Sequence, residues 1–282
     1  MKKALIAVAI SAAFIGSSAL ADSSPELNHH THHFLAKGKA RPGGGGGSNL
    51  GYHGGPVIHT AAVVPIFWGS YWATTAGSAV ANHEISFFEQ FGMSSHYAII
   101  TQYYDGGGNI HSTTLMSSAL QAFFDPNDPP TNVTDAAVQG EVLHYLGQPG
   151  VTFDASTIYE VFLPPTSYSS DGSSTSCGGP SLAYCAYHGW FSSGGNNIKY
   201  SSMPYPNCGG CQSAGFSDAQ NLDHFSCHET REAVTDENLN AWYDRRGNEA
   251  DDKCAWSPAP FTDNNGFAYQ YEWSNAAGGC VP

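Results

Sequence analysis

Basic residues are scarce in this chain. Lysine and arginine together number 10 against 24 aspartates and glutamates, a formal charge of −14. So acidic a surface repels nucleic acid and anionic lipid, which argues against both as partners. Long apolar runs are also missing. A membrane-spanning helix needs about 20 apolar residues, and the apolar run at residues 4–15 is too short. No Gly-x-Ser-x-Gly occurs, so a serine nucleophile on a strand-to-helix elbow is not favoured. Cys208-Gly-Gly-Cys211 has no second such pair, and a zinc ribbon needs two. No internal repeat is found.

The beginning of the chain reads as an export signal. Met1-Lys2-Lys3 is positive, an apolar run follows, and Ala19-Leu20-Ala21 is a small-residue cleavage site. Residues 1–21 are therefore expected to be removed on secretion. Seven cysteines lie between Cys177 and Cys280. After export, disulfides are the default for them. An odd count leaves one thiol over, and Cys227 is the candidate because it sits in an expected buried helix. Residues 22–50 carry His29, His30, His32 and His33, then glycines from Gly43 to Gly47. On composition this is a disordered, solvated His/Gly-rich tail. A single domain is expected over 51–282.

Residues 60–68 form an apolar run of strand length closed by Gly69. Residues 77–91 read as a helix, with Val80, Ile85, Phe88 and Phe91 near one face. Residues 97–104 read as a strand, and 115–124 as a short helix or strand. Thr134 caps a helix to Leu146, with Val138, Val142 and Leu146 four residues apart. Residues 156–164 are β-branched and aromatic, hence a strand. Residues 183–191 and 198–205 read as a hairpin with a long loop. Asp218 or Asn221 caps the next helix. The expected fold class is α/β (α+β): a zincin-like mixed twisted sheet packed on helices, followed by a loop-rich part. Trp68, Tyr71, Trp72, Tyr103 and Tyr104 read as core and rim aromatics, or as the lining of a groove.

That helix carries the chemistry. His228-Glu229-x-x-Glu232 places two ligand side chains four residues apart, about 6 Å along one helical face. Both can hold one metal ion, while Glu229 acts as base on water. The layout is that of a zincin peptidase with the second histidine replaced by glutamate. A hydrolytic zinc site needs a third protein ligand and an open position. Asp236 lies roughly 12 Å further along a continuous helix, out of reach. Glu249, Asp252 and His188 remain as candidates. The bland alternative is a helical His/Glu pair with no metal. His83-Glu84 also opens a helical His-Glu pair, but Phe87 at the fourth position cannot bind metal.

The block Ser226-Cys227-His228-Glu229-x-x-Glu232-Ala233-Val234-Thr235-Asp236, then Asn240-Ala241-Trp242-Tyr243 and Glu249-Ala250-Asp251-Asp252-Lys253-Cys254, resembles the secreted EXORDIUM or phosphate-induced proteins. So do Tyr52-His53-Gly54-Gly55-Pro56 and Cys185-Ala186-Tyr187-His188-Gly189. The resemblance runs in patches over residues 51–255. It implies secretion and a zincin-like site, with His228, Glu229 and Glu232 carried over first, but no substrate. It groups Glu249, Asp252 and His188 with them, on the same ion, on a separate calcium or as loop caps. It also implies that Cys254 closes a disulfide loop that positions Asp252. The chain departs from the pattern at Asp236-Glu237, where relatives carry a proline, so a longer helix is expected.

The functional expectation is a secreted zinc-dependent peptidase-like hydrolase acting on a peptide or protein. A carboxylate-rich shell makes manganese or calcium more competitive. The alternative is a non-catalytic extracellular protein that binds cell-wall or cell-surface glycan and keeps a structural metal.

Overall fold

The computed structural model describes residues 29–39, 48–117 and 121–282. The expected signal peptide lies outside them. The central sheet has six strands: β1 (His29–Leu35), β2 (Ala62–Trp68), β3 (Phe123–Asp125), β4 (Thr157–Phe162), β5 (Tyr184–Ser193) and β6 (Asn196–Met203). Their spatial order is β1-β5-β6-β4-β2-β3. From β6 to β3 the pairs are parallel, while β1–β5 and β5–β6 are antiparallel. β4 is buried at every position, as a strand covered on both faces must be.

Three longer helices cover the sheet: α1 (Thr75–Phe91), α2 (Asp135–Leu146) and α3 (Asp218–Thr235). The two-residue alternation of strands sorts the core. Val64, Ile66, Tyr159 and Val161 pack with Val138 and Val142 of α2. Val63, Phe67, Ile158 and Phe162 share the other face with Phe87 and Phe91 of α1 and Leu222, Phe225 and Val234 of α3. α3 lies on β5 and β6, beside α1. The mixed α/β architecture expected from the sequence is present.

Several local expectations are corrected. The tail assigned to residues 22–50 contains β1, an edge strand paired antiparallel with β5 over seven residues. Composition hid a period of two. His32 and Phe34 face the α3 side, opposite His188 and Ala186, while Thr31 and His33 reach Asp171 on the other. Leu50 is also buried, so the fold does not begin at Gly51. Residues 97–104 are not a strand. Ser95–Ala98 is a helical turn capped by Ser94, and Ile99–Gln102 continues as a 3-10 turn. Tyr97, Ile100 and Tyr103 are buried at three-residue spacing, which overrides their β propensity.

The β5–β6 hairpin closes tightly through Gly194 and Gly195 rather than through a long loop. Both have positive φ, at 58° and 83°, as a two-residue turn matching strand twist requires. Ser217, not Asp218 or Asn221, caps α3, in a capping box with Gln220. α3 stops at Thr235 rather than running on, because the Asp236 side chain accepts from the Asn240 and Ala241 amides and turns the chain.

Past α3 the chain is irregular, with two- and three-residue strands. Cys254–Cys280 pins this part, while Cys177–Cys208 and Cys185–Cys211 tie together the segment before α3. Cys227 is free and buried, as expected.

Candidate metal centre

α3 is unusual in that every residue from 221 to 235 is buried, charged ones included. Leu222, Phe225 and Val234 supply the ordinary apolar contacts. Several of the polar positions divide between two buried environments. Thr230 and Ser226 point at Glu160 and Glu84 below the sheet-facing side, where Thr230 Oγ1 donates to Glu160 at 2.6 Å and Ser226 Oγ to Glu84 at 3.0 Å. His228, Glu229 and Glu232 point to the other.

There the expected residues converge. His188 of β5 donates from Nδ1 to Glu229 Oε2 at 2.8 Å, and its Nε2 lies 3.7 Å from Glu249 Oε2. His228 Nε2 lies 3.1 Å from Glu232 Oε2 and 3.9 Å from Asp252 Oδ1. The loop after α3 is folded back so that the Asp252 amide donates to Glu232 Oε1 at 2.9 Å. A 3-10 turn, Asp252–Cys254, and the Cys254–Cys280 bridge hold that loop. All six residues chosen from the sequence, His188, His228, Glu229, Glu232, Glu249 and Asp252, therefore share one site. Asp236 serves as the helix stop, close enough for its charge to act on Glu249 and His32, and His83 pairs instead with Asp223 at 2.8 Å.

Three further residues complete the site. His32 of β1 lies across its mouth, with Nε2 at 2.8 Å from Asp252 Oδ2 and Nδ1 at 3.5 Å from Glu249 Oε1. Phe34 stacks on the His228 ring, centroids 4.1 Å apart. Gln270 fixes the His228 tautomer. Its Nε2 donates to the Asp251 carbonyl at 2.6 Å and to Asp251 Oδ1 at 3.1 Å, so Oε1 faces His228 Nδ1 at 3.1 Å. In the neutral ring, a proton on Nδ1 leaves Nε2 with its lone pair turned to the carboxylates, as a metal-binding imidazole needs. The alternation of β1 carries a readable signal for His32; Gln270, a lone amide in a loop, has none.

Burial is deep. Glu229, Glu232 and His228 are fully buried and His188 and Glu249 nearly so; His32 at 24 % and Asp252 at 14 % exposure form the solvent edge. Five ligand-type atoms here are buried with no hydrogen-bond partner among the described residues: His188 Nε2, His228 Nε2, Glu229 Oε1, Glu232 Oε2 and Glu249 Oε2. Buried polar atoms are rarely left so, since each costs about 1–3 kcal/mol.

The electrostatics are those of a place short of positive charge. Burial, reinforced by neighbouring carboxylates, pushes Glu229 and Glu249 well above the usual carboxylate range and raises Glu232. Burial opposes charge on His228, but Glu232, Glu229 and Asp251 outweigh it and hold its pKa well above the ordinary value. Burial likewise opposes charge on His32, yet Asp252 and Glu232 hold it at about 9. His188, buried and beside His32 and His228, is driven well below the ordinary imidazole value and stays neutral. Protons stand in for a missing counter-charge on these groups. Imidazole nitrogens with several carboxylate oxygens suit zinc or manganese better than calcium, which prefers oxygen ligands alone.

Of the aromatics read as core and rim or as a groove lining, Trp72 and Tyr103 are core residues and Tyr104 is exposed. No helix among the described residues is long and apolar enough to cross a membrane. The three disulfides fit an oxidising compartment such as the extracellular space. No family model, curated protein or solved structure matches the chain.

Proposed function

We propose that this is a secreted metal-dependent hydrolase of peptides, with zinc, or manganese in its place, on the His228–Glu232 face of α3. The patchwise resemblance to EXORDIUM-type proteins belongs to the same proposal. The observation that carries it is the convergence of orphaned imidazole and carboxylate atoms from α3, β5 and the following loop on one buried spot. His228, Glu232 and Asp252 would hold the ion. When bound, such an ion acidifies water and polarises a carbonyl oxygen. Gln270 keeps His228 in the ligating tautomer, and Phe34 keeps its ring from turning. Glu229 has one oxygen on His188 Nδ1 and the other, Oε1, free to take a proton from an attacking water. His188 steadies that carboxylate.

The test is hydrolysis of a denatured-protein substrate by the purified chain and by Glu229→Gln. The reading expects activity to fall by at least about 100-fold with metal content and fold retained. Equal activity in the two proteins would remove Glu229 from the mechanism.

A second reading is favoured by the narrow mouth between His32 and Asp252. In it the ion is structural and clamps β1, β5, α3 and the C-terminal loop of a non-catalytic protein. The exposed rings of Tyr52 and Tyr104, set beside Trp242, would then offer a face to glycan. Under that reading the wild-type protein hydrolyses nothing, while metal removal unfolds it.

A further inference from the structure

Four of the five orphaned atoms of the centre fall into two imidazole–carboxylate pairs, with Glu232 Oε2 also 3.9 Å from His188 Nδ1. One is His228 Nε2 with Glu232 Oε2, at 3.1 Å. The other is His188 Nε2 with Glu249 Oε2, at 3.7 Å. In both, an imidazole nitrogen and a carboxylate oxygen face each other under full burial. The tautomers are set independently. Gln270 takes the Nδ1 proton of His228, and Glu229 takes that of His188. Each imidazole therefore turns its Nε2 to its own carboxylate. The residues at the mouth serve both pairs: Asp252 Oδ1 reaches His228 at 3.9 Å, and His32 Nδ1 reaches Glu249 at 3.5 Å.

Charge points the same way. Glu229, Glu232, Glu249 and Asp252 are four carboxylates around three imidazoles, with Arg231 on α3 turned away to Asp251 and Glu272. With every carboxylate ionised and every imidazole neutral, one divalent cation leaves such a set two charges negative in a site nearly closed to water, where uncompensated charge is expensive. Two divalent cations neutralise it.

We infer that the centre is built for two divalent cations, one on His228, Glu232 and Asp252 and the second on His188, Glu249 and His32. This rests on the metal-centre reading above and deepens it. Glu229 keeps its place between them, bonded to His188 and with Oε1 free. Paired ions of this kind let a site hold both the attacking and the leaving oxygen of a displacement, so the substrate class widens from peptides to other esters and amides of acids. β1 is then part of the centre rather than a leader to it.

The experiment is metal stoichiometry on the full chain, stripped by chelator and reloaded with Mn²⁺, read by elemental analysis and by electron paramagnetic resonance. The expected result is two ions per chain with a spin-coupled signal. Glu249→Gln and His32→Asn should each reduce the content to one and give an isolated-ion spectrum. Circular dichroism checks that these variants fold, and the wild-type spectrum needs no variant. One ion in the wild-type chain overturns the pair while leaving the single-ion reading intact. No ion at all overturns both. Two ions that survive in Glu249→Gln and His32→Asn also overturn the inference. They would place the second ion elsewhere, and Glu141→Gln would test the cluster Asp125–Glu141–His144.

Discussion

Glu160 lies in β4 beneath α3, its Oε1 accepting from Thr230 and its Oε2 without a partner among the described residues. Burial pushes its pKa up to about 8. The unfolded carboxyl titrates near 4.5, so the native state keeps a proton that the unfolded chain has lost. The stability this contributes is complete below about pH 4.5 and is lost as pH rises through about 8. Glu160→Gln should flatten that fall and gain roughly 2–5 kcal/mol over wild type above pH 8, read by urea denaturation at pH 5 and pH 8.5. Phe34 makes a different case, since it packs with 0 % exposure between the His228 and Trp256 rings. Phe34→Ala should cost about 3–5 kcal/mol and weaken metal affinity, which a chelator competition would show. Residues like His228, Glu229 and Glu232 are readable because a helix makes four-residue spacing spatial. Glu249, Asp252 and His188 came from reach and resemblance, and their convergence needed the fold. Gln270 and Phe34 act on the site through a neighbour's ring, which no spacing encodes.

At the level of elements, α3 is held by its charges as much as by its apolar face. Arg231, fully buried, is paired with Asp251 and with Glu272, the latter at 2.5 Å. Arg231→Met would strand two buried carboxylates and should destabilise the fold by about 3–5 kcal/mol, measured by thermal or chemical unfolding. Ser217→Ala, which removes only the capping hydroxyl, should cost about 1 kcal/mol. β2, β4 and the two strands of the β5–β6 hairpin were legible as runs of strand-forming residues, and α2 by its cap and four-residue period. β1 was not: four histidines in five positions look like a solvated tract until β5 supplies a partner edge. Residues 97–104 misled in the opposite sense, with strand-forming types arranged at the three-residue spacing of a tight helix.

At the scale of the whole molecule, the candidate metal centre joins β1, the middle of the sheet, α3 and the disulfide-closed C-terminal loop. The mixed sheet-and-helix architecture was readable from the order of runs and breakers. The joining was not, because Asp252 and His32 are 220 residues apart in sequence and meet only through folding. An ion that binds the folded state alone stabilises it by mass action, so chelation should lower the unfolding temperature and excess Zn²⁺ or Mn²⁺ should restore it. The most direct test of the central claim is elemental analysis of the chain purified without added metal or chelator, beside His228→Ala prepared identically. The account expects stoichiometric zinc or manganese in the wild type and a loss of at least half of it in the variant. A wild-type chain that is folded and free of metal, and that takes up none on titration, would contradict it.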